Sequence, residues 1–300
     1  MSRPLRIVLT IVGALLVVVM IACATVYVAG GRALARTFDL PTESFVAPTD
    51  SASVAAGARL AQLYGCRDCH VADLGGQVLI QSGAFGVVPA PNLTAGRGGV
   101  GATYTDTDYE RAIRHGMRPN AQSLVIMPSA DYQQATDEDV GRIIAYIRQV
   151  PAVDREAPAR RAGPIMRMLL VMQGDQLLQA AAVEQTAPHT PSLVAGPTVE
   201  YGRYMASGCR GCHGPDYSGG PTGEPGAPPA ANISPDSATG IGAWTRDDFD
   251  RAVRTGRRPD GRELSSFMPW SAFSVATDDE VTAMWLYLRT VPAVNKTIER

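Results

Sequence analysis

Lysine is nearly missing from this 300-residue chain, with Lys296 the single example among 27 basic residues. Histidine occurs four times, cysteine five times, and aromatic residues make up 6%. A lysine-ringed docking face is therefore excluded, although arginine can serve instead. The formal net charge is −2, which gives no electrostatic footprint for nucleic acid. Four of the cysteines fall in two close pairs and the fifth, Cys23, lies in an apolar run, so no intrachain disulfide is expected. With histidine this scarce, the position of each one matters.

Two of the four histidines sit in identical surroundings. Cys66-Arg-Asp-Cys69-His70 recurs as Cys209-Arg-Gly-Cys212-His213. Cys-x-x-Cys-His is the attachment signature of a c-type haem. Each thiol adds to one haem vinyl group, and the next residue, His, is held beneath the iron as a ligand. A zinc ribbon needs both cysteine pairs in one small knuckle, and these pairs lie far apart in the chain. The expectation is two covalently attached haem c groups, on Cys66 and Cys69 and on Cys209 and Cys212, with His70 and His213 as proximal ligands.

Residues Ile7 to Gly30 carry no charge. As a helix this run would be about 36 Å long, enough to cross a bilayer. Arg3 and Arg6 precede it, which favours a cytoplasmic N-terminus with everything beyond exported. Cleavage at Ala22-Cys23-Ala24 and lipid attachment at Cys23 are the competing readings. However, the run outlasts the secretory core of roughly 7–15 residues, which favours a retained anchor. Each reading places the rest outside the cytoplasm, on the periplasmic side of a bacterial inner membrane.

Beyond the motifs the chain repeats itself. Asn92-Leu-Thr recurs as Asn232-Ile-Ser, Asp108-Tyr-Glu-Arg-Ala-Ile-Arg as Asp248-Phe-Asp-Arg-Ala-Val-Arg, Met127-Pro128 as Met268-Pro269, and Tyr146-Ile-Arg-Gln-Val-Pro as Tyr287-Leu-Arg-Thr-Val-Pro. This divides the chain into an anchor (1–37), a first repeat domain (38–153), a linker with an apolar helix (154–196) and a second repeat domain (197–300).

Each copy reads as mostly helical. A Gly- and Ala-containing helix leads into the cysteine motif, and its small residues would let another helix approach closely. A middle helix begins near Thr107 and Thr245. A last helix begins at Thr136 and Thr277, with Asp139 and Glu280 placed as in a capping box. Val140, Ile143, Ile144 and Ile147 then form one apolar stripe, as do Val281, Met284, Trp285 and Leu288. The Gly- and Pro-rich segments 75–101 and 214–242 lack such a period and read as loops. In the linker, Pro164 suits the first turn of a helix packed between the domains; a membrane or partner surface is the alternative.

The sixth iron ligand decides the chemistry. Met127 and Met268 align in the repeat, and each precedes Pro and the last helix. Methionine opposite histidine closes the iron to substrate and raises its reduction potential. His115 and Met117 are rivals in the first copy, but the second has Thr255 and Arg257 there. Tyr104 and Trp244 align as possible propionate contacts, as do Arg114 and Arg254. A backbone carbonyl near Pro89 or Pro228 would orient the proximal imidazole, and Asn92 and Asn232 would hold the loop together.

Taken together, these residues resemble the class I cytochrome c family, present twice. They are also similar to the dihaem and trihaem cytochrome subunits of membrane-bound bacterial dehydrogenases. The resemblance implies an all-α fold, two tandem cytochrome c domains behind an N-terminal transmembrane helix. It also implies single-electron transfer between redox proteins: a membrane dehydrogenase or quinol-oxidising complex on one side, a terminal oxidase or other acceptor on the other. No catalytic residue is expected. A dihaem peroxidase, which needs one open iron, and a dihaem subunit of a haem–copper oxidase are the alternatives. A gas sensor in which one methionine is displaced is a further possibility.

Overall fold

The computed structural model describes residues 2–222 and 226–299. Helix α1, Arg3–Ala35, starts with Pro4 in its first turn and is about 50 Å long. Its large apolar side chains from Leu5 to Ile21 are exposed, as a bilayer-crossing helix requires. No slack separates it from the folded body. Thr37 bridges to Gln122, Phe38 N donates to Ala121 O (3.0 Å), Arg111 Nη2 donates to Pro41 O (2.5 Å), and Ala47 is in the core.

The first half is built from α2 (Ser51–Leu63), α3 (Cys66–His70), α4 (Asp106–His115), α5 (Ser129–Tyr132) and α6 (Asp137–Gln149). Thr105 caps α4 in a reciprocal capping box with Asp108, so that helix starts slightly before the expected Thr107. The α6 stripe of Val140, Ile143, Ile144 and Ile147 is fully buried. It faces α2, and Gly57 makes the crossing possible: a Cβ there would stand 1.8 Å from the Arg142 carbonyl oxygen.

The second half repeats this arrangement with α9 (Val199–Met205), α10 (Arg210–His213, after one 3₁₀ turn), α11 (Arg246–Thr255), α12 (Trp270–Phe273) and α13 (Asp278–Leu288). Gly202 plays the part of Gly57, 1.9 Å from the Ala283 carbonyl oxygen when a Cβ is added. Thr245 and Thr277 cap α11 and α13 with full capping boxes.

The structure corrects two expectations. Segment 75–101 is not all loop, because β1 (Gln77–Ser82) and β2 (Gly86–Ala90) form an antiparallel hairpin, extended by β3 (Arg161–Ala162). Val78, Ile80, Val87 and Val88 supply the β-branched surface, and Gly86, at φ +101°, makes the turn. Among the described residues, the corresponding stretch of the second half keeps one bridge, Gly220 to Ala230. The linker helix does not lie between the halves either. Helix α7 (Pro164–Leu177, kinked at Gln173) and the short α8 (Gln179–Ala182) cover the first half. Met166, Leu170 and Leu178 bury against Val88 and Val125, with Leu34 and Phe38 at the edge. Arg167 stacks on the Tyr27 ring at 3.9 Å and donates to Tyr27 O (2.6 Å), while Arg36 pairs with Asp175 (3.0 Å). These contacts fix α7 alongside the end of α1 in parallel.

One apolar cluster runs through both halves. Where they meet, Tyr64 Oη donates to Tyr204 Oη (2.8 Å), which donates to Asp139 (2.6 Å). That bond occupies the carboxylate expected to complete the α6 capping box. Beside it, Arg59 pairs with the buried Glu280 at 2.7 Å.

Candidate functional site

In α3, residues three and four apart share a face, so Cys66, Cys69 and His70 point the same way. They open onto a cavity of about 360 Å³, with Met127 on its lining. His70 is buried and its Nδ1 lies 2.8 Å from Pro91 O. A carbonyl only accepts, so Nδ1 carries the proton and Nε2 keeps a free lone pair. Burial lowers the His70 pKa, with the Pro91 carbonyl opposing it, so the ring is neutral and able to ligate.

The second half presents the same parts around a cavity of about 110 Å³, lined by Cys209, His213 and Met268. His213 Nδ1 donates to Ala231 O at 2.7 Å. In both halves the carbonyl lies two or three residues beyond the expected Pro89 and Pro228. Buried Asn92 brings it there: its Oδ1 accepts from Thr94 N (2.9 Å) and its Nδ2 donates to Val153 O (2.6 Å), tying the loop to the chain beyond α6. Asn232 does the same with Ser234 N (2.9 Å) and Val294 O (2.7 Å).

Burial pushes the Cys66 thiol up to about 12 and Cys209 up to about 11. Thiols of that kind stay protonated, unlike the activated cysteine of a Cys-x-x-Cys redox catalyst. Met127 and Met268 immediately precede the prolines that begin α5 and α12. The rivals His115 and Met117 are buried outside the first cavity.

Tyr104 and Trp244 line the cavities, whereas Arg114 and Arg254 do not. Arg114 is held by Asp137 (2.6 Å) and the Ala135 carbonyl (2.8 Å), and Arg254 by Asp278 (2.7 Å) and Asp250 (3.2 Å). Both pair with carboxylates that do not line the cavities. The arginines on the cavities are Arg118 and Arg160 in the first half and Arg258 in the second. Sequence reasoning missed them, although Arg118-Pro119 recurs as Arg258-Pro259 just as Arg114 recurs as Arg254. Burial, then the neighbouring Arg118 charge, lowers the Arg160 pKa to about 10. Among the described residues neither Arg118 nor Arg160 has a carboxylate within salt-bridge distance, so this corner of the cavity calls for an anionic ligand.

Comparison with known proteins agrees with the geometry. The cytochrome c family model matches residues 54–151. The cytochrome c subunit of an alcohol dehydrogenase (quinone) from Gluconacetobacter polyoxogenes is 28% identical, over 88% of this chain and 59% of its own length. The cytochrome c subunit of gluconate 2-dehydrogenase from Pantoea cypripedii is 27% identical, over 85% of this chain and 64% of its own. A diheme cytochrome c-type protein of Cereibacter sphaeroides is 32% identical over 36% of this chain and 42% of its own. The chain thus spans about three-fifths of the dehydrogenase subunits it matches. Both dehydrogenase relatives are named as the cytochrome c subunit, and a cytochrome c domain holds covalently bound haem c. Residues 54–151 thus match the cytochrome c family model, and most of the chain is similar to the cytochrome c subunits of bacterial dehydrogenases.

Proposed function

We propose that this chain is a membrane-anchored dihaem c-type cytochrome, facing the periplasm from the bacterial inner membrane, that relays single electrons for a dehydrogenase partner. The observation that carries this reading is the twofold recurrence of one construction: a Cys-x-x-Cys-His helix facing a cavity that has methionine on its lining. Bound haem c supplies one-electron cycling between ferric and ferrous iron.

The chain's own residues then have distinct tasks in two tandem cytochrome c domains. Cys66 and Cys69, and Cys209 and Cys212, hold the two groups covalently. His70 and His213 offer Nε2, with Pro91 O and Ala231 O fixing the tautomer and making each ring a stronger donor. Met127 and Met268, on the cavity linings, would be the further iron-holding residues, closing the iron to substrate and favouring its ferrous state. Arg118 and Arg160, and Arg258 in the second half, neutralise propionates, while Tyr104 and Trp244 pack beside them. The unpartnered guanidiniums at the first cavity support the fit of an anionic cofactor. The names of the relatives support a dehydrogenase as the electron donor; the acceptor is a quinone-linked or oxidase component of the same membrane.

Near-infrared magnetic circular dichroism of the oxidised full-length protein tests this. Two full-intensity methionine-to-ferric-iron charge-transfer bands per chain are expected. In Met268→Ala both groups stay attached, one band disappears, the potential of that site falls, and the reduced protein binds carbon monoxide there. A wild-type protein with one band, or a Met268→Ala protein unchanged in all three respects, overturns the assignment.

A further inference from the structure

The chain has four histidines, and two of them belong to the Cys-x-x-Cys-His motifs. The remaining two, His115 at the end of α4 and His189 in the segment leading to α9, meet at one carboxylate. Glu110, His115 and His189 each offer a ligand atom, all within 4.8 Å of one another. Glu110 and His115 are buried, and His189 is half-buried.

The protonation of His115 follows from its neighbours. The Gln185 amide NH₂ donates to Ala180 O (2.8 Å) and His115 O (3.2 Å), which turns its Oε1 towards His115 Nδ1 at 2.8 Å. Nδ1 is therefore the donor, and Nε2 faces Glu110 Oε1 at 3.4 Å. Two lone-pair atoms that close and buried need a cation between them. With zinc bonds of roughly 2.0–2.1 Å, tetrahedral ligand atoms stand about 3.3–3.4 Å apart. The Glu110–His115 pair already has that separation. An oxygen acceptor on the outer nitrogen of a ligating histidine is also the usual support of a metal site.

We infer that Glu110, His115 and His189 form a binding site for one divalent first-row transition ion of the zinc or copper type. Two imidazoles and one carboxylate are the ligand chemistry these ions take. Arg114 Nη1 lies 3.5 Å from Glu110 and 3.1 Å from His189 Nδ1, the nitrogen that is also 2.9 Å from Asp137. Its 2.6 Å bond to Asp137 and its bond to the Ala135 carbonyl keep Arg114 partnered when Glu110 turns to the ion. The second half supplies an internal control. Asp250, Arg254 and Asp278 reproduce Glu110, Arg114 and Asp137, but Thr255 stands where His115 does and no linker histidine follows. One ion per chain is therefore expected. Its effect is to clamp residues 184–189 onto the first half.

The site rests on the function proposed above only in that His70 and His213 are committed to iron; the dichroism reports on the irons and calorimetry on the added ion. Titration of the haem-loaded full chain with zinc chloride in a non-chelating buffer should show one zinc per chain. Affinity should fall at least tenfold in H115A, E110Q and H189A, and amide exchange across 184–189 should slow when zinc is added. His189 is half-exposed, so H189A keeps the test valid if H115A or E110Q fails to fold. Absence of zinc uptake, which would mean that a proton alone bridges Glu110 and His115, overturns the site. So does uptake that H189A leaves unchanged.

Discussion

The two halves share the parts that surround the candidate cofactor and differ in what covers them. Both place histidine against a backbone carbonyl, tie the loop with a buried asparagine, cross two helices over a glycine and set an arginine between carboxylates. In the first half the loop before Met127 lies beneath α7 and α8. Val125 packs on Met166, Leu170 and Leu178, Ala180 N donates to Ser123 Oγ (3.0 Å) and Gln179 N to Leu124 O (3.0 Å). Among the described residues no such helices cover the loop before Met268, and Glu263, Ser265, Ser266 and Phe267 are exposed. The repeat thus preserves the geometry around each cavity, and insertions alter access and rigidity. On the ligation proposed above, Met268 should be the more readily displaced methionine of the pair.

The strongest way to break this contrast is to remove the cover. Leu170→Ala deletes a side chain that is 3% exposed; such truncations cost about 2–5 kcal/mol. Cyanide should bind the wild-type oxidised protein first at the second site, and Leu170→Ala should bring the first site to a similar rate. Stopped-flow binding to the wild type and to variants lacking Met127 or Met268 assigns the phases. Equal rates in the wild type would end the argument.

Next come the glycine crossings, where the halves should behave alike. Gly57→Ala and Gly202→Ala each force a Cβ against a backbone carbonyl, at about 1–3 kcal/mol or more. Calorimetry should show similar losses. A loss in one variant alone would mean that the crossings are not equivalent.

A smaller difference lies just after the motifs. Val71 has φ +59° where the second half has Gly214 at φ +78°. A β-branched residue there stores about 1–3 kcal/mol of strain, and glycine gives back about 0.5–1 kcal/mol in entropy. Val71→Gly should therefore raise the melting temperature, and a lower value would refute the strain.

The smallest effect is electrostatic. Arg254 holds Asp278 below the usual carboxylate value of 3.8. Its contribution is present above that value and lost as pH falls through the folded-state pKa. Asp278→Asn should lower the melting temperature slightly at pH 7, and the gap should close in strong acid. A gap that persists in strong acid would point to packing instead.

Much of this was legible in the sequence, because short-range rules govern it. The caps at Thr136, Thr245 and Thr277, the buried stripe of α6 and the paired motifs all depend on residues within a few positions of one another. The misses depended on distant partners. The hairpin at 77–90 hid in a Gly-rich stretch whose third strand comes from Arg161–Ala162. An apolar α7 announces that it is covered, but not that Val88, Val125 and the end of α1 are its partners. Arg114 and Arg254 repeat as faithfully as Arg118 and Arg258. Repetition alone could not show which pair faces the cavity, because Asp137 and Asp278, which claim the first pair, come from α6 and α13, more than 20 residues on.

The junction at Thr37–Ala47 has a consequence for traffic. A carrier on a long leash can swing between two stations and serve as a ferry. Here α1 is moored to the body by Phe38, Pro41 and Ala47, and Arg167 grips it from the side. If α1 lies in the membrane, the body stands at a set height and tilt above it. Such a molecule works as a pier, and each partner must glide through the plane of the membrane and berth beside it.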